Sequence, residues 1–218
     1  MTYLHWDQKT ITDFSEKNIS QLYSRGYLFT RLGKGAMHLT RNVRINLNKF
    51  TLSSENRRIL KKVDGVNFEL ATIPYAGYEW SIGKLAKDFY ETKFGPGIMS
   101  AIKVKELLTS AEKSNFNSLI LYTKDGLIEG YAICYSNKDI LHYSYPFYDL
   151  STSSKDMGLG MMILAIEYAK KVGMKYIYLG SLQRPTDTYK LQFEGLEWFD
   201  GKNWSDDQEK VREILTRS

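Results

Sequence analysis

Three apolar stretches separated by short polar turns occupy the middle of the chain. They run over 118–123, 127–135 and 140–147, with Lys-Asp-Gly in the first gap and Ser-Asn-Lys-Asp in the second. Asp-Gly and Asn in such short gaps favour tight turns between antiparallel strands. The pattern therefore predicts a three-stranded antiparallel meander.

The stretch that follows changes to a helical period. Within 158–172, the apolar residues Ile163, Ile166 and Ala169 recur at helical spacing, and 175–179 is again a short apolar strand. A strand, a helix and a second strand in this order predict a parallel crossover. Joined to the meander, the crossover predicts an α+β fold whose mixed, mainly antiparallel sheet is flanked by helices.

The rest of the chain alternates short strands and helices, without an internal repeat or a Pro/Gly-rich linker. Residues 1–22 form a polar lead-in with one short helix. Turn and capping signals predict strands at 27–32, 37–47 and 66–73, helices at 54–62, 79–93 and 98–109, a hairpin over 196–204 and a final helix at 206–216. We expect one domain over 23–218, with its central part at about 110–204.

Composition limits the classes of function. The 218 residues are 43% hydrophobic and 25% charged, with a net charge of +5, which favours an anionic partner such as nucleic acid. We expect no membrane partner and no secretory leader, because no stretch is apolar enough. Cys134 is the single cysteine, and the three histidines lack the spacing of metal ligands, so we expect no metal and a reducing, cytoplasmic location.

A glycine loop precedes the crossover helix. It reads Lys155-Asp156-Met157-Gly158-Leu159-Gly160, and we call residues 155–160 the glycine loop below. Glycines at a helix N-terminus allow close approach of an anion to backbone N–H groups. The alternative is a helix start with a purely structural role.

Several stretches resemble known families. The glycine loop is similar to the pyrophosphate loop of the GNAT acyltransferases, with Lys155 where Arg or Gln is usual. "LSSENRRILKK" (52–62), "PFYDLSTSSKDMGLGMMILAIEYAKKVGMKYIYLG" (146–180) and "TYKLQFEGLEWFDGKNW" (188–204) resemble blocks of the arginyl- and leucyl-tRNA–protein transferases, in the same order. The family's N-terminal cysteine cluster is missing, and Ser181, Arg184-Pro185-Thr186-Asp187 and Gly195 depart from its pattern.

The resemblance implies a GNAT-like fold and a reaction. An amino acid of the arginine or leucine class would pass from aminoacyl-tRNA to the N-terminal α-amine of a protein or peptide. No cofactor is needed, because the ester is already activated. The partners implied are aminoacyl-tRNA and the acceptor N-terminus, and we expect a monomer.

Candidate residues follow from the matched blocks, with alternatives that stay open. For catalysis these are Asp149, Tyr148 and Tyr189; for donor binding Lys155, Gly158, Gly160 and Lys190; for acceptor or tRNA binding Arg57, Arg58, Lys61 and Lys62. The alternative for Asp149 is a role in a turn or a helix cap, and the alternative for the two tyrosines is a structural role. The cations could instead belong to a solvated surface. Trp80, Trp198 and Trp204 fit the core or its rim, with stacking on the terminal adenine as an alternative.

Two other functions fit the sequence. The glycine loop also suits a CoA-dependent N-acyltransferase, for which acetyl-CoA would be the donor. The changes at Ser181 and before Tyr189 also suit a non-catalytic RNA- or peptide-binding module on a transferase fold.

Overall fold

The structure, a computed structural model, describes residues 3–217. This part of the chain contains six α-helices: α1 Glu16–Ser24, α2 Ser54–Lys62, α3 Trp80–Phe94, α4 Ala101–Thr109, α5 Met157–Lys171 and α6 Gln208–Thr216. It contains eleven strands: β1 Asp7–Thr10, β2 Tyr27–Phe29, β3 Ala36–Leu39, β4 Asn42–Asn46, β5 Asn67–Thr72, β6 Ser118–Lys124, β7 Leu127–Ser136, β8 Ile140–Tyr148, β9 Tyr176–Ser181, β10 Leu196–Phe199 and β11 Trp204–Ser205. Pro185–Gln192 forms a 3-10 helix.

Eight strands form a mixed sheet in the order β11-β10-β4-β9-β8-β7-β6-β5. β5, β6 and β7 pair antiparallel, whereas β8 and β9 pair parallel, with His142 opposite Tyr178. Helix α5 connects these two parallel strands. The predicted meander, the parallel crossover and the α+β class with a mainly antiparallel sheet are therefore confirmed.

The strand predicted over 37–47 is wrong as one element. It divides into β3, which joins β1 and β2 in a separate three-stranded sheet, and β4, which lies between β10 and β9. The chain turns at Thr40, whose carbonyl accepts the Asn42 N–H at 2.7 Å, and the buried Asn42 amide donates to the Gly26 carbonyl at 2.8 Å. A backbone hydrogen bond at Thr40 and the buried Asn42 side chain thus fix a turn inside the predicted strand.

The described residues cluster into two compact units. Unit 1 holds 3–53, 137–142 and 168–217, and unit 2 holds Ser54–Ser136 and Tyr143–Glu167. The core of unit 1 includes the fully buried Tyr23, Ile45, Phe50, Ile177 and Trp198. The core of unit 2 includes the fully buried Ile59, Val104, Leu119, Tyr122 and Phe147. The single domain expected over 23–218 stays a prediction.

The structure also tests expectations about the cysteine and three of the tryptophans. Cys134 is a free, buried thiol, and burial raises its pKa. Trp198 lies in the core and Trp204 is half-buried, but Trp80 is 70% exposed, contrary to the core or rim position expected. Along residues 3–217, no helix combines the length and apolar character that crossing a membrane requires.

Candidate functional site

The glycine loop, in unit 2, satisfies several of its own N–H groups. Met157 donates to the Ser154 carbonyl at 3.0 Å, and Gly160 donates to the Asp156 carbonyl at 2.8 Å. The Gly158 N–H is hydrogen-bonded to the Tyr148 hydroxyl oxygen. The start of α5 therefore offers an anion fewer open donors than the sequence motif alone implies.

The two glycines have packing neighbours inside unit 2. A Cβ built on Gly158 would lie 2.9 Å from the Tyr148 hydroxyl, and one on Gly160 would lie 2.7 Å from both methyl groups of Val63. We expected these glycines to leave room for a ligand. This expectation is wrong for the positions that a Cβ would take, because protein atoms already occupy the space beside them. Their donor-binding role stays a prediction.

The structure brings the cationic helix α2 and the glycine loop together. Lys62 donates to Asp156 at 2.6 Å, and Val63, which follows α2, contacts Gly160. This hydrogen bond from Lys62 is the main cause that lowers the pKa of Asp156. Because α2 and the loop share unit 2, the cations predicted for acceptor or tRNA binding lie beside Lys155 and the two glycines predicted for donor binding, whereas Lys190 belongs to unit 1.

The cations of α2 differ in their contacts. All four, namely Arg57, Arg58, Lys61 and Lys62, are exposed. Arg58 forms an ion pair with Glu55 on the same helix, and that hydrogen bond raises the pKa of Arg58. Lys61 and Lys155, also exposed, have no hydrogen bond or ion pair within residues 3–217. Lys61 and Lys155 are therefore the most available for an anionic partner.

Tyr148 and Asp149 lie at the end of β8, in unit 2. Tyr148 is buried, and this burial raises its pKa, while the Gly158 N–H acts in the opposite direction. The Asp149 carboxylate accepts the Ser151 hydroxyl at 2.6 Å and the Ser151 N–H at 2.8 Å, and these hydrogen bonds lower its pKa. Asp149 is therefore an ionised turn residue and a weak proton acceptor at neutral pH.

Lys190 and Tyr189 belong to unit 1, on the 3-10 helix. Lys190 is buried, so its alternative as a solvated lysine is wrong. Its Nζ donates to the Ser181 carbonyl at 2.9 Å, and within residues 3–217 it has no carboxylate within 4 Å. Burial lowers the pKa of Lys190, and the charge of Asp187 partly offsets this effect. Tyr189, in contrast, is 46% exposed.

The segment before Lys190 is held by its own cap. The Asp187 carboxylate accepts the backbone N–H groups of Gln183 at 2.8 Å and Arg184 at 2.9 Å. Pro185 begins the 3-10 helix, where a proline needs no hydrogen bond for its nitrogen. The Arg-Pro-Thr-Asp stretch that departs from the family pattern therefore builds the turn that places Lys190.

His142 is a buried histidine near Lys190 in unit 1, and the spacing of the histidines had indicated no role for it. The Tyr23 hydroxyl and His142 Nδ1 are 2.9 Å apart, and the Phe29 N–H donates to the same hydroxyl oxygen at 3.4 Å. Burial, with a smaller contribution from the Lys190 charge, lowers the pKa of His142 from 6.5 to about 3. The imidazole is therefore neutral at physiological pH. Tyr23 lies on α1 and His142 on β8, so this contact depends on the packing of a helix against a strand, which no local sequence pattern indicates.

The part of the chain that the structure describes contains no group of three or more His, Cys, Asp or Glu side chains placed to hold a metal ion.

Comparison with known proteins decides the family. A family model described as "Arginine-tRNA-protein transferase, C terminus" matches residues 84–200, which is more than half of the chain. The chain belongs to this family. It is therefore a member of an aminoacyltransferase family, and the match includes β8, the glycine loop, α5 and Lys190.

Curated relatives are similar at low identity. An aspartate/glutamate leucyltransferase of Hyphomonas neptunium is 26% identical over 172 residues, covering 75% of this chain and 67% of the relative. The enzyme of the same name from Dinoroseobacter shibae is 25% identical over 177 residues and is covered to 61%. The chain thus spans about two thirds or less of the length of these relatives.

Solved structures resemble the chain in fold. The C-terminal domain of a lysylphosphatidylglycerol synthetase from Agrobacterium fabrum matches with a TM-score of 0.50 at 14% identity, covering 81% of this chain and 55% of that one. A GNAT family acetyltransferase from Elizabethkingia anophelis also matches, with a TM-score of 0.39 at 16% identity, covering 59% and 72%. The sheet topology described above confirms the predicted α+β class, with a mixed, mainly antiparallel sheet.

Proposed function

We propose that this chain transfers an amino acid from aminoacyl-tRNA to the N-terminal α-amine of a protein or peptide. Membership of the arginine-tRNA-protein transferase family is the observation that carries the proposal. The names of the relatives favour leucine as the amino acid donated and N-terminal Asp or Glu as the acceptor. The proposed partners are therefore leucyl-tRNA and acidic N-termini, which meet in the cytoplasm.

The proposed reaction is aminolysis of an ester. The α-amine nitrogen forms a bond to the ester carbonyl carbon, the bond from that carbon to the ribose oxygen breaks, and one proton of the amine ends on the ribose hydroxyl. A free α-amine has a pKa near 8, so a useful fraction is neutral at pH 7. The protein must therefore position the two substrates and stabilise the oxyanion, and it needs no metal to activate the ester.

We assign to Lys190 the stabilisation of the negative charge that develops on the carbonyl oxygen during the reaction. An ammonium group has three N–H donors, and the Ser181 carbonyl accepts one of them. The other two have no protein acceptor within residues 3–217, although the side chain is buried. A buried cation with unused donors stabilises an oxyanion or a phosphate more strongly than an exposed one, because little water competes for it. The exposed Tyr189 would contact the donor beside it.

The surface formed by α2 and the glycine loop is assigned to the substrates. Lys61, Lys62 and Lys155 suit tRNA phosphates, which lysine binds as a point charge. Arg58 suits the side-chain carboxylate of the acceptor, because a guanidinium binds a carboxylate with two hydrogen bonds. Its ion pair with Glu55 is exposed and would exchange for the substrate at little cost.

A panel of donors and acceptors tests the proposal. The purified chain would be incubated with radiolabelled leucyl-, arginyl- and alanyl-tRNA and with peptides that begin with Asp, Glu or Ala. We expect label on the Asp and Glu peptides from leucyl-tRNA. Transfer from acetyl-CoA with no transfer from any aminoacyl-tRNA would instead establish the CoA-dependent alternative.

A further inference from the structure

A shallow cavity in unit 1 has cationic and aromatic walls. Its volume is about 310 Å³, and its lining includes Arg25, Tyr27, Phe199, Lys202, Asn203 and Trp204. Of the residues singled out from the sequence, Trp204 lines this cavity, whereas the residues predicted for catalysis, donor binding and acceptor or tRNA binding do not. The volume is within the range of small-ligand sites, which is about 300–1,000 Å³.

The two cations of the cavity are not held in an ion pair among the described residues, although the charge of Lys202, after the hydrogen bond from the Asn203 N–H, helps to lower the pKa of Asp200. Arg25 and Lys202 are both exposed, and within residues 3–217 neither side chain makes a hydrogen bond or an ion pair. The neighbouring carboxylates are already engaged: Asp7 accepts the Tyr27 hydroxyl at 2.5 Å, and Asp200 accepts the N–H groups of Lys202 and Asn203 at 2.8 Å each. The cavity therefore offers a ligand two cationic side chains whose N–H donors are not used by the described part of the protein.

The aromatic wall is held rigidly. The Trp204 indole N–H donates to the Ser24 carbonyl at 2.7 Å, and the Arg44 guanidinium carbon lies 4.2 Å from the centroid of the indole ring. Glu197, at 2.7 Å, fixes Arg44 in turn. A ring held at its polar atom and on its face loses little conformational freedom when a ligand packs against it.

We infer that this cavity binds a nucleotide, with a phosphate between Arg25 and Lys202 and the sugar or base against Trp204. Cations together with aromatic side chains are the combination by which proteins hold single-stranded nucleic acid. Naming tRNA as the source of the nucleotide rests on the proposed function. The cavity and Lys190 both belong to unit 1.

The test compares Arg25→Ala/Lys202→Ala with Lys138→Ala/Lys171→Ala, a control that removes two exposed cations of unit 1 outside the cavity. Binding of uncharged tRNA is measured by fluorescence anisotropy at several salt concentrations, and binding of AMP by calorimetry. We expect the cavity variant to bind tRNA at least about tenfold more weakly than the control. The slope of the logarithm of the binding constant against the logarithm of the salt concentration should become shallower by about 0.7 for each phosphate contact that is lost from a single strand.

The arms of this experiment distinguish the sources of the nucleotide. Loss of tRNA binding without measurable AMP binding by the unaltered chain assigns the cavity to a polynucleotide. Loss of AMP binding as well assigns it to a free nucleotide. Equal tRNA and AMP binding by the cavity variant, the control and the unaltered chain overturns the inference. Because no aminoacyl ester or acceptor is present, failure of the proposed transfer activity leaves this result unaffected.

Discussion

Lys190 is the residue at which burial, charge and family resemblance coincide. The block around it resembles the transferases, and the fold buries its side chain, with the ammonium group donating to the Ser181 carbonyl and lying 5.8 Å from the centroid of the Tyr189 ring. The sequence predicted the residue but not its burial, because a lysine after an exposed tyrosine in a polar stretch reads as solvated. The Asp187 cap and the 3-10 helix are local, whereas the burial of Lys190 depends on tertiary packing around them.

Replacing Lys190 by Met should separate function from stability. Met keeps most of the volume and removes a buried charge that lacks a carboxylate, so the melting temperature should stay the same or rise. The value of kcat/KM for transfer should fall on the order of 100-fold, as for the loss of one oxyanion donor.

The matched control for that variant is Lys170→Met. Lys170 also donates to a backbone carbonyl, that of Phe50 at 2.5 Å, but it is exposed. Its transfer rate should equal that of the unaltered chain. Normal turnover of Lys190→Met would remove Lys190 from the reaction.

His142 should make folding stability depend on pH. Its pKa is 6.5 in the unfolded chain and about 3 in the folded one, so between these values the unfolded state binds the extra proton. The contribution of His142 to the free energy of unfolding is fully present above about pH 6.5. It is lost as pH falls below that value, by at most about 1.4 kcal/mol per pH unit.

The variant His142→Asn isolates this contribution, because asparagine can still accept from Tyr23 but does not titrate. Urea unfolding from pH 7 to 4 should show a steeper loss for the unaltered chain than for the variant. Parallel curves would mean that His142 is protonated normally in the folded state.

At the scale of elements, the helix period and the turn signals were sufficient for most of the fold. The bounds of α2, α4 and β10 agree with the sequence patterns to within three residues. Strand β1, in contrast, is the polar segment Asp-Gln-Lys-Thr, which acquires its structure only by pairing with β3. Its pattern carries no burial signal, because three of its four residues are exposed.

The contact between α5 and Val63 predicts the effect of Gly160→Ala. The new methyl group would lie 2.7 Å from two methyl groups of a stiff β-branched residue, so unfolding free energy should fall by about 1–3 kcal/mol. The double variant Val63→Ala/Gly160→Ala should recover part of the loss in thermal melts. Additive losses in the double variant would show that the crowding is elsewhere.

The exposed face of α2 predicts that tRNA binding depends on the salt concentration. If Lys61 contacts a tRNA phosphate, Lys61→Ala should make the dependence of log K on log salt shallower by about 0.9 in duplex regions. Lys105→Ala is the control, because Lys105 is an exposed lysine on α4. Identical salt slopes for the two variants would identify α2 as a solvated face.

At the scale of the whole molecule, the fold class and the family were predictable from motifs, but the site was not. The order of strands, glycine loop and helix gave the topology, since antiparallel turns and a crossover helix allow few sheets. The structure places Gly158 against Tyr148, Gly160 against Val63 and His142 against Tyr23. These contacts join residues that lie in or next to different elements. No local pattern encodes such contacts.

Amide formation is the most direct test of the claim that this chain is an aminoacyl-tRNA–protein transferase. The chain would be mixed with radiolabelled leucyl-tRNA and a peptide that begins with Asp, and the mixture would then be treated with mild base, which hydrolyses esters but not amides. The account predicts base-resistant label at the peptide N-terminus, in an amount that grows with enzyme concentration. Label that base removes completely, with every aminoacyl-tRNA tried, would contradict it.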